Sequence, residues 1–347
     1  MLVQGVYDPT GLIFVTVSRS VSSSAYFDSS NPGVECLDDH RCDYVPSHGK
    51  FSNICLSLNR FSFNFNSTMS RVAIVKGETP QDMVVEALEM VSAQDAIPDG
   101  KPVLIKPNYI NARHPSTGIT TDSRVVEGVI AFLRRHDIGD VVIGEGSGLA
   151  DTFKAFQVAG VDAVAERWGV GLVDLNRDEF IEVELRDPLA LRRVRVAKTA
   201  LERAVISVPK LKPHRLARVT LSLKNMMGVV SPKGAMHNHL SEKIVDLASL
   251  VKPCIAVVDG IIAGEVHETA GRPVEMNLVI AGTDPVAVDA VGAAVMGIDP
   301  KTVKHLRLAE ERGLGVCDLN RIEVLGVPIR KVRRKFRLSI LSRFLSR

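Results

Sequence analysis

From about Arg71 onward, short unbroken apolar runs alternate with longer segments whose apolar residues recur at helical spacing. Arg71–Val75, Val103–Ile105, Asp140–Ile143, Gly171–Leu175, Ala204–Val208, Cys254–Val258, Asn277–Ala281 and Ile322–Leu325 read as strands. Between them the text predicts helices from Thr79 to about Val91, over Asp122–Arg135, Thr152–Gly160, Val161–Trp168, Leu240–Leu250, Pro285–Met296 and Pro300–Arg312. Thr79-Pro80-Gln81-Asp82 carries the start signals of a helix: a capping hydroxyl, a proline at the first helical position and an early acid. Phe180–Leu185 and Arg192–Val196 have the spacing of an antiparallel pair. Strands interleaved with helices imply an α/β fold: a mostly parallel sheet with helices on both faces and some antiparallel additions. Runs such as Ala204–Val208, apolar without alternation, suit strands buried on both faces.

The pattern divides the chain into three zones. Residues 1–68 lack periodicity and hold twelve Ser but a single Lys. They are expected to be a disordered or mis-started extension, with Met69 as the domain start. Residues 69–328 form the α/β domain. Residues 329–347 are expected to make a basic amphipathic C-terminal helix, with Val332, Phe336, Ile340 and Phe344 on one face.

Composition narrows the partners. Formal net charge is +3, but the stretch from Arg330 to the end carries eight Lys/Arg and no acid, and the remainder has 35 basic residues against 40 acidic. A mildly acidic body does not suit nucleic acid. The basic tail suits a terminal helix packed on the domain with a solvated basic side, peripheral contact with the inner membrane surface, or a helix for a partner protein; no apolar run is long enough to span a bilayer. Five cysteines without a CxxC pair exclude an iron–sulfur cluster held by this chain alone, and their odd, sparse set points to the cytoplasm.

Chemistry concentrates where strands run into loops, the place where open α/β sheets bind ligands. Lys106-Pro107-Asn108 follows the second strand, and Pro107 ends its pairing. Gly144-Glu145-Gly146-Ser147-Gly148 follows the third; such a loop can cradle an anion on its backbone N–H groups. It has Leu149 where the dinucleotide fingerprint needs glycine, so NAD is not expected. Val208-Pro209-Lys210-Leu211-Lys212-Pro213-His214 and Leu223-Lys224-Asn225-Met226-Met227-Gly228 gather cations in apolar text, where a lysine needs an anionic partner. His237 and His239 share a glycine-containing loop, Asp259 follows the Cys254–Val258 run ahead of a loop with Glu265, His267 and Glu268, and Asp289 interrupts an apolar helix. Asp284, between Thr283 and Pro285, is an ordinary helix cap.

Taken in order, Ile105-Lys106-Pro107-Asn108, the Val208–His214 and Leu223–Gly228 segments, Val258-Asp259-Gly260 and Asp284-Pro285-Val286-Ala287-Val288-Asp289 resemble the prokaryotic family catalogued as domain of unknown function 362, over about residues 71–326. Some members of that family are fused to ferredoxin-type domains, which implies a redox or iron–sulfur partner protein; this chain departs from them in lacking the cysteine cluster.

The residues support an expected enzyme of unassigned reaction class acting on a small anionic metabolite. Lys106, Lys210, Lys212, Asn108, Asn225 and Gly146 are the binding candidates, and His214, Asp259 and Lys224 the catalytic ones. Asp259, Asp289, His237 and His239 are candidate ligands for a divalent metal. Proton transfer beside a carboxylate and metal-assisted phosphoryl chemistry both suit this set. The alternative is a non-catalytic accessory protein that delivers a metal or cofactor or works with a redox partner.

Overall fold

The computed structural model describes residues 69–339 together with four short strands before them. The chain divides into two units, Met1–Asn66 and Ser67–Arg347. In the first, Gly5–Tyr7 pairs antiparallel with Ile13–Val15, and Val34–Asp38 with Arg41–Tyr44. The rest of 1–68, and with it most of the expected extension, lies outside the described residues.

The second unit is an α/β fold on an eight-stranded sheet. Its order is Ile322–Gly326, Ser70–Lys76, Arg272–Gly282, Ile255–Glu265, Ala204–Val208, Val103–Pro107, Val141–Glu145 and Gly171–Asp174. Every strand but Arg272–Gly282 runs the same way. The period of two sorts side chains onto two faces. Ala73, Val75, Val103 and Ile105 pack with the helices Pro80–Met90, Ser123–Arg135, Thr152–Ala159 and Val161–Trp168. Val72, Ile74, Val258 and Ile280 pack on the other face with Leu240–Leu250, Pro285–Val295 and Lys304–Glu311. Two layers of helix cover the sheet, so strands read as unbroken apolar text.

A smaller antiparallel sheet joins Phe180–Glu184, Arg193–Ala197 and Val230–Ser231, and the expected pair is its core. Lys212–His214 and Arg218–Thr220 form a short hairpin beyond the end of Ala204–Val208.

Three expectations need correction. Cys254–Val258 is only the start of a strand running to Glu265, so Asp259 lies within the strand and not at its end. Asn277–Ala281 is likewise part of Arg272–Gly282, and the two long strands form a hairpin whose arms extend beyond the neighbouring strand ends. Cross-strand pairing carries both runs through the polar residues that end the apolar text. The C-terminal segment is helical only at Ile329–Val332 within the described residues. Val332 at its end and Phe336 beyond it are buried in the core and Leu338 bridges to Val266, so tertiary anchoring replaces the continuous helix. Residues 340–347 of that expected helix lie outside the described residues.

Candidate functional site

The strand-end loops converge on a cavity of about 360 Å³. Lys106, Asn108, Gly146, Lys212, His214, Lys224 and Asn225 all line it, so seven expected site residues from four separate segments meet. Glu145, Arg215, Lys233, His237 and Glu268 complete its polar wall, and Ile110, Leu149 and Met227 supply apolar surface.

The floor is a closed polar network. Lys106 ends its strand beside Glu145 at the end of the next, and Nζ lies 2.6 Å from Oε1 with both side chains buried. Lys106 Nζ also donates to Pro107 O at 3.0 Å and Asn225 Oδ1 at 3.3 Å, which uses all three of its N–H groups. Glu145 accepts in addition from the backbone N–H of Tyr109 and of Gly146, both at 2.8 Å. Burial lowers the Lys106 pKa and Glu145 opposes that shift. Asn225 Nδ2 donates to Lys106 O at 2.9 Å and Ser207 Oγ at 3.2 Å, and Asn108 Nδ2 donates to Asn225 Oδ1 at 3.1 Å. Gly228 is required here, because a Cβ would come 2.6 Å from Lys106 Cε and 2.7 Å from its Nζ. Gly146 faces the same limit, with Lys233 Nζ and Asn176 Oδ1 each 2.9 Å from where a Cβ would sit.

The walls hold the groups still able to act. Lys212 is buried and donates to Ile119 O at 2.6 Å and Glu268 O at 3.0 Å, leaving one N–H uncommitted. Burial, then the charges of Lys224 and Lys210, lower its pKa to about 7. Lys224 stands in the one-turn helix Ser222–Asn225, and among the described residues no hydrogen bond or ion pair engages its amine. Burial lowers Lys224 to about 8, with Glu268 opposing and Lys106 reinforcing the shift. Two further cavity atoms, Asn108 Oδ1 and Thr220 Oγ1, are buried without a partner.

His214 Nδ1 accepts from the backbone N–H of Leu216 at 3.2 Å and Ala217 at 3.0 Å, so a neutral ring carries its proton on Nε2. That nitrogen lies 3.5 Å from Glu268 Oε1. Burial, then the charges of Lys224, Lys212 and Arg215, hold His214 far below the usual imidazole range. It is therefore a neutral donor, narrower than the acid-or-base role expected of it. Glu268 also meets Arg215 Nε at 3.1 Å.

Of the remaining candidates only His237 reaches the cavity. Lys210 and Asp259 form a fully buried pair at 2.7 Å outside the cavity lining. Asp259 further accepts from Asp122 N at 2.6 Å and Ile261 N at 2.9 Å, an arrangement that ties the start of a helix to the sheet. Asp289 faces neither solvent nor cavity: it accepts from Ser222 N at 2.7 Å and Leu223 N at 2.9 Å, capping the turn that carries Lys224. His237 is on the cavity wall, whereas His239 is exposed at the start of Leu240–Leu250. The four metal candidates thus do not converge, and among the described residues no group of three or more His, Cys, Asp or Glu is placed to share an ion.

Two residues stand out that the sequence reading left unassigned. Glu268, noted only as one of three polar residues in a loop, reaches the cavity because the long hairpin delivers it there. His305 is fully buried with neither ring nitrogen partnered, and burial and then the Lys224 charge lower its pKa to about 3. Nothing in the local sequence marks it, since it occupies an ordinary apolar-face position of Lys304–Glu311.

Fold and cavity together define an α/β protein with a lysine-rich site at the ends of parallel strands. The chain belongs to the family described as domain of unknown function (DUF362), whose profile matches residues 103–294. It is also similar to the thylakoid-associated protein sll1697 of Synechocystis sp., with 26% identity over 229 residues covering 62% of this chain and 69% of that protein.

Proposed function

We propose that this cavity binds a small anionic metabolite, a carboxylate or a phosphate, and that the protein is an enzyme using proton transfer. One observation carries the reading: Lys224 presents an amine with no partner among the described residues to a cavity already bordered by Lys212 and Arg215. Among the described residues neither buried Lys212 nor half-buried Lys224 is ion-paired with a carboxylate; such cations are costly to withdraw from water, and an anionic ligand offsets that cost. Lys212 and Lys224 contact the anion, Asn108 Oδ1 accepts from a ligand donor, and Glu268 moves the proton, with neutral His214 Nε2 3.5 Å from its carboxylate. Lys106 keeps Asn225 and Glu145 in place instead of touching the ligand.

Calorimetric titration of the full chain with inorganic phosphate, acetate and succinate tests this. Binding of at least one anion, lost in Lys224→Ala with the fold retained, is the expected result; no heat with any of them sinks the proposal.

A second reading concerns location. Arg330, Lys331, Arg333, Arg334, Lys335 and Arg337 are exposed, while Val332 and Phe336 pin their backbone to the core. Of these cations Arg334 alone, among the described residues, faces an acid, Glu265 at 3.8 Å. Such a ridge suits an anionic lipid surface, and the relative named as thylakoid-associated supports the same reading. No helix among the described residues is long and apolar enough to cross a membrane. The exposed basic ridge supports a reading of peripheral contact with the cytoplasmic face of a membrane. Co-sedimentation with phosphatidylglycerol vesicles, lost on reversing Arg333, Lys335 and Arg337, is the expected outcome; equal pelleting would remove the idea.

A further inference from the structure

The lysines of the site fall into two kinds. Lys106 and Lys210 are each held by a buried carboxylate, at 2.6 and 2.7 Å, and Lys106 has no N–H left. Those are lysines held for their charge. Lys224 is built differently. Its backbone is fixed by the Asp289 cap on Ser222 and Leu223, its neighbour Asn225 is locked in the floor network, and its amine faces the cavity with no acceptor among the described residues. A lysine half-buried beside other cations is more readily neutral than a solvated one, which leaves its nitrogen lone pair available, the condition for attack on a carbonyl carbon.

The surroundings match such a reaction. Lys212, with one uncommitted N–H, and Arg215 at the rim can hold a carboxylate beside Lys224. Glu268 lies on the same wall, oriented by Arg215 Nε at 3.1 Å and facing His214 Nε2 at 3.5 Å. Ile110, Leu149 and Met227 offer apolar contact to a short carbon chain.

We infer that Lys224 forms an imine with the carbonyl group of a small 2-oxo acid whose carboxylate is held by Lys212 and Arg215. This rests on the anion-binding reading above and names its substrate class. The amine nitrogen bonds to the carbonyl carbon, and the carbonyl π pair moves to oxygen. Glu268 takes a proton from nitrogen and returns it to that oxygen, giving the carbinolamine. A second relay makes the hydroxyl leave as water while the nitrogen lone pair closes the C=N bond. Both amine protons depart with the carbonyl oxygen as water, and no oxidant or reductant is needed. Once a proton from Glu268 returns to its nitrogen, the imine is an electron sink for cleavage or proton loss at the carbons beside it.

Borohydride trapping tests the inference. The full chain is incubated with pyruvate, reduced with sodium borohydride and mapped by peptide mass spectrometry. Calorimetry with pyruvate and with lactate, which has the carboxylate but no carbonyl, runs alongside. The peptide containing Lys224 is expected to gain the mass of pyruvate less one oxygen. That gain is expected to be absent with lactate, and absent in Lys224→Arg shown by circular dichroism and melting to be folded. If both acids bind but no adduct forms, or if adducts spread over many lysines, the imine is overturned while anion binding stands. If neither acid binds or is trapped, both fall.

Discussion

Lys106 and Glu145, at the ends of adjacent parallel strands, meet at 2.6 Å beneath the cavity, and removing either leaves its partner charged and buried. Breaking a buried pair from one side costs about 3–5 kcal/mol, much more than replacing both partners by apolar groups. Glu145→Gln should therefore lower the urea midpoint strongly, and Lys106→Met combined with Glu145→Leu should recover part of the loss. A Glu145→Gln protein that unfolds at the wild-type urea concentration would contradict the structural role given to the pair.

Gly228 and Gly234, on either side of the strand Val230–Ser231, make a matched comparison. A methyl at Gly228 would press on Lys106, whereas one at Gly234 would meet nothing within 4 Å. Overpacking of this kind costs about 1–3 kcal/mol, and an unobstructed surface change within about 0.5 kcal/mol. Thermal melts should rank Gly228→Ala well below Gly234→Ala, and anion binding should weaken only in the former.

Asp289 links stability to the site. In Asp289→Asn one of the two accepting oxygens becomes an N–H₂ facing a backbone N–H, a loss of about 1–3 kcal/mol for the unsatisfied group. Burial raises the Asp289 pKa from 3.8 to about 8. The folded state therefore holds a proton that the unfolded state releases between those values, and this group's contribution to stability falls as pH rises across that window. The gap in stability between wild type and Asp289→Asn should narrow from pH 5 to pH 8, a trend that melts in matched buffers would read (pH values spanning about the titration window). A gap that stays constant across that window would show that the carboxylate is already charged in the fold.

Lys224 should be reactive at lower pH than an ordinary lysine. Its pKa of about 8 is set by burial, with Glu268 opposing and Lys106 reinforcing; Lys212, His214 and His305 are the other titratable groups whose charges bear on it or are affected by it. Acylation by a small anhydride should rise with pH and level off above about 8, where a solvated lysine keeps rising to about 10.4. Glu268→Gln removes the opposing charge and should move the curve to lower pH. Peptide-resolved labelling rates across pH would check both, and a Lys224 profile like that of a surface lysine would refute the assigned environment.

Much of this protein was legible along the chain. The alternation of unbroken apolar runs with amphipathic segments determined the α/β fold, because a strand covered on both faces must be apolar at successive positions. The same text determined where chemistry would gather: lysines next to prolines at the ends of buried strands are tied to that place by the backbone. Lys106, Asn108, Lys212, His214, Lys224 and Asn225 meet in one cavity for that reason. Only the tertiary structure decided which acid answers which lysine. Lys106 and Glu145 are 39 residues apart, Lys210 and Asp259 are 49 apart, and Lys106 and Asn225 are 119 apart. Strand order and hairpin length set those meetings. They drew Asp259 and Asp289 into the interior as partners of a lysine and of a helix start, carried Glu268 to the wall, and left the amine of Lys224 facing the cavity without a partner among the described residues.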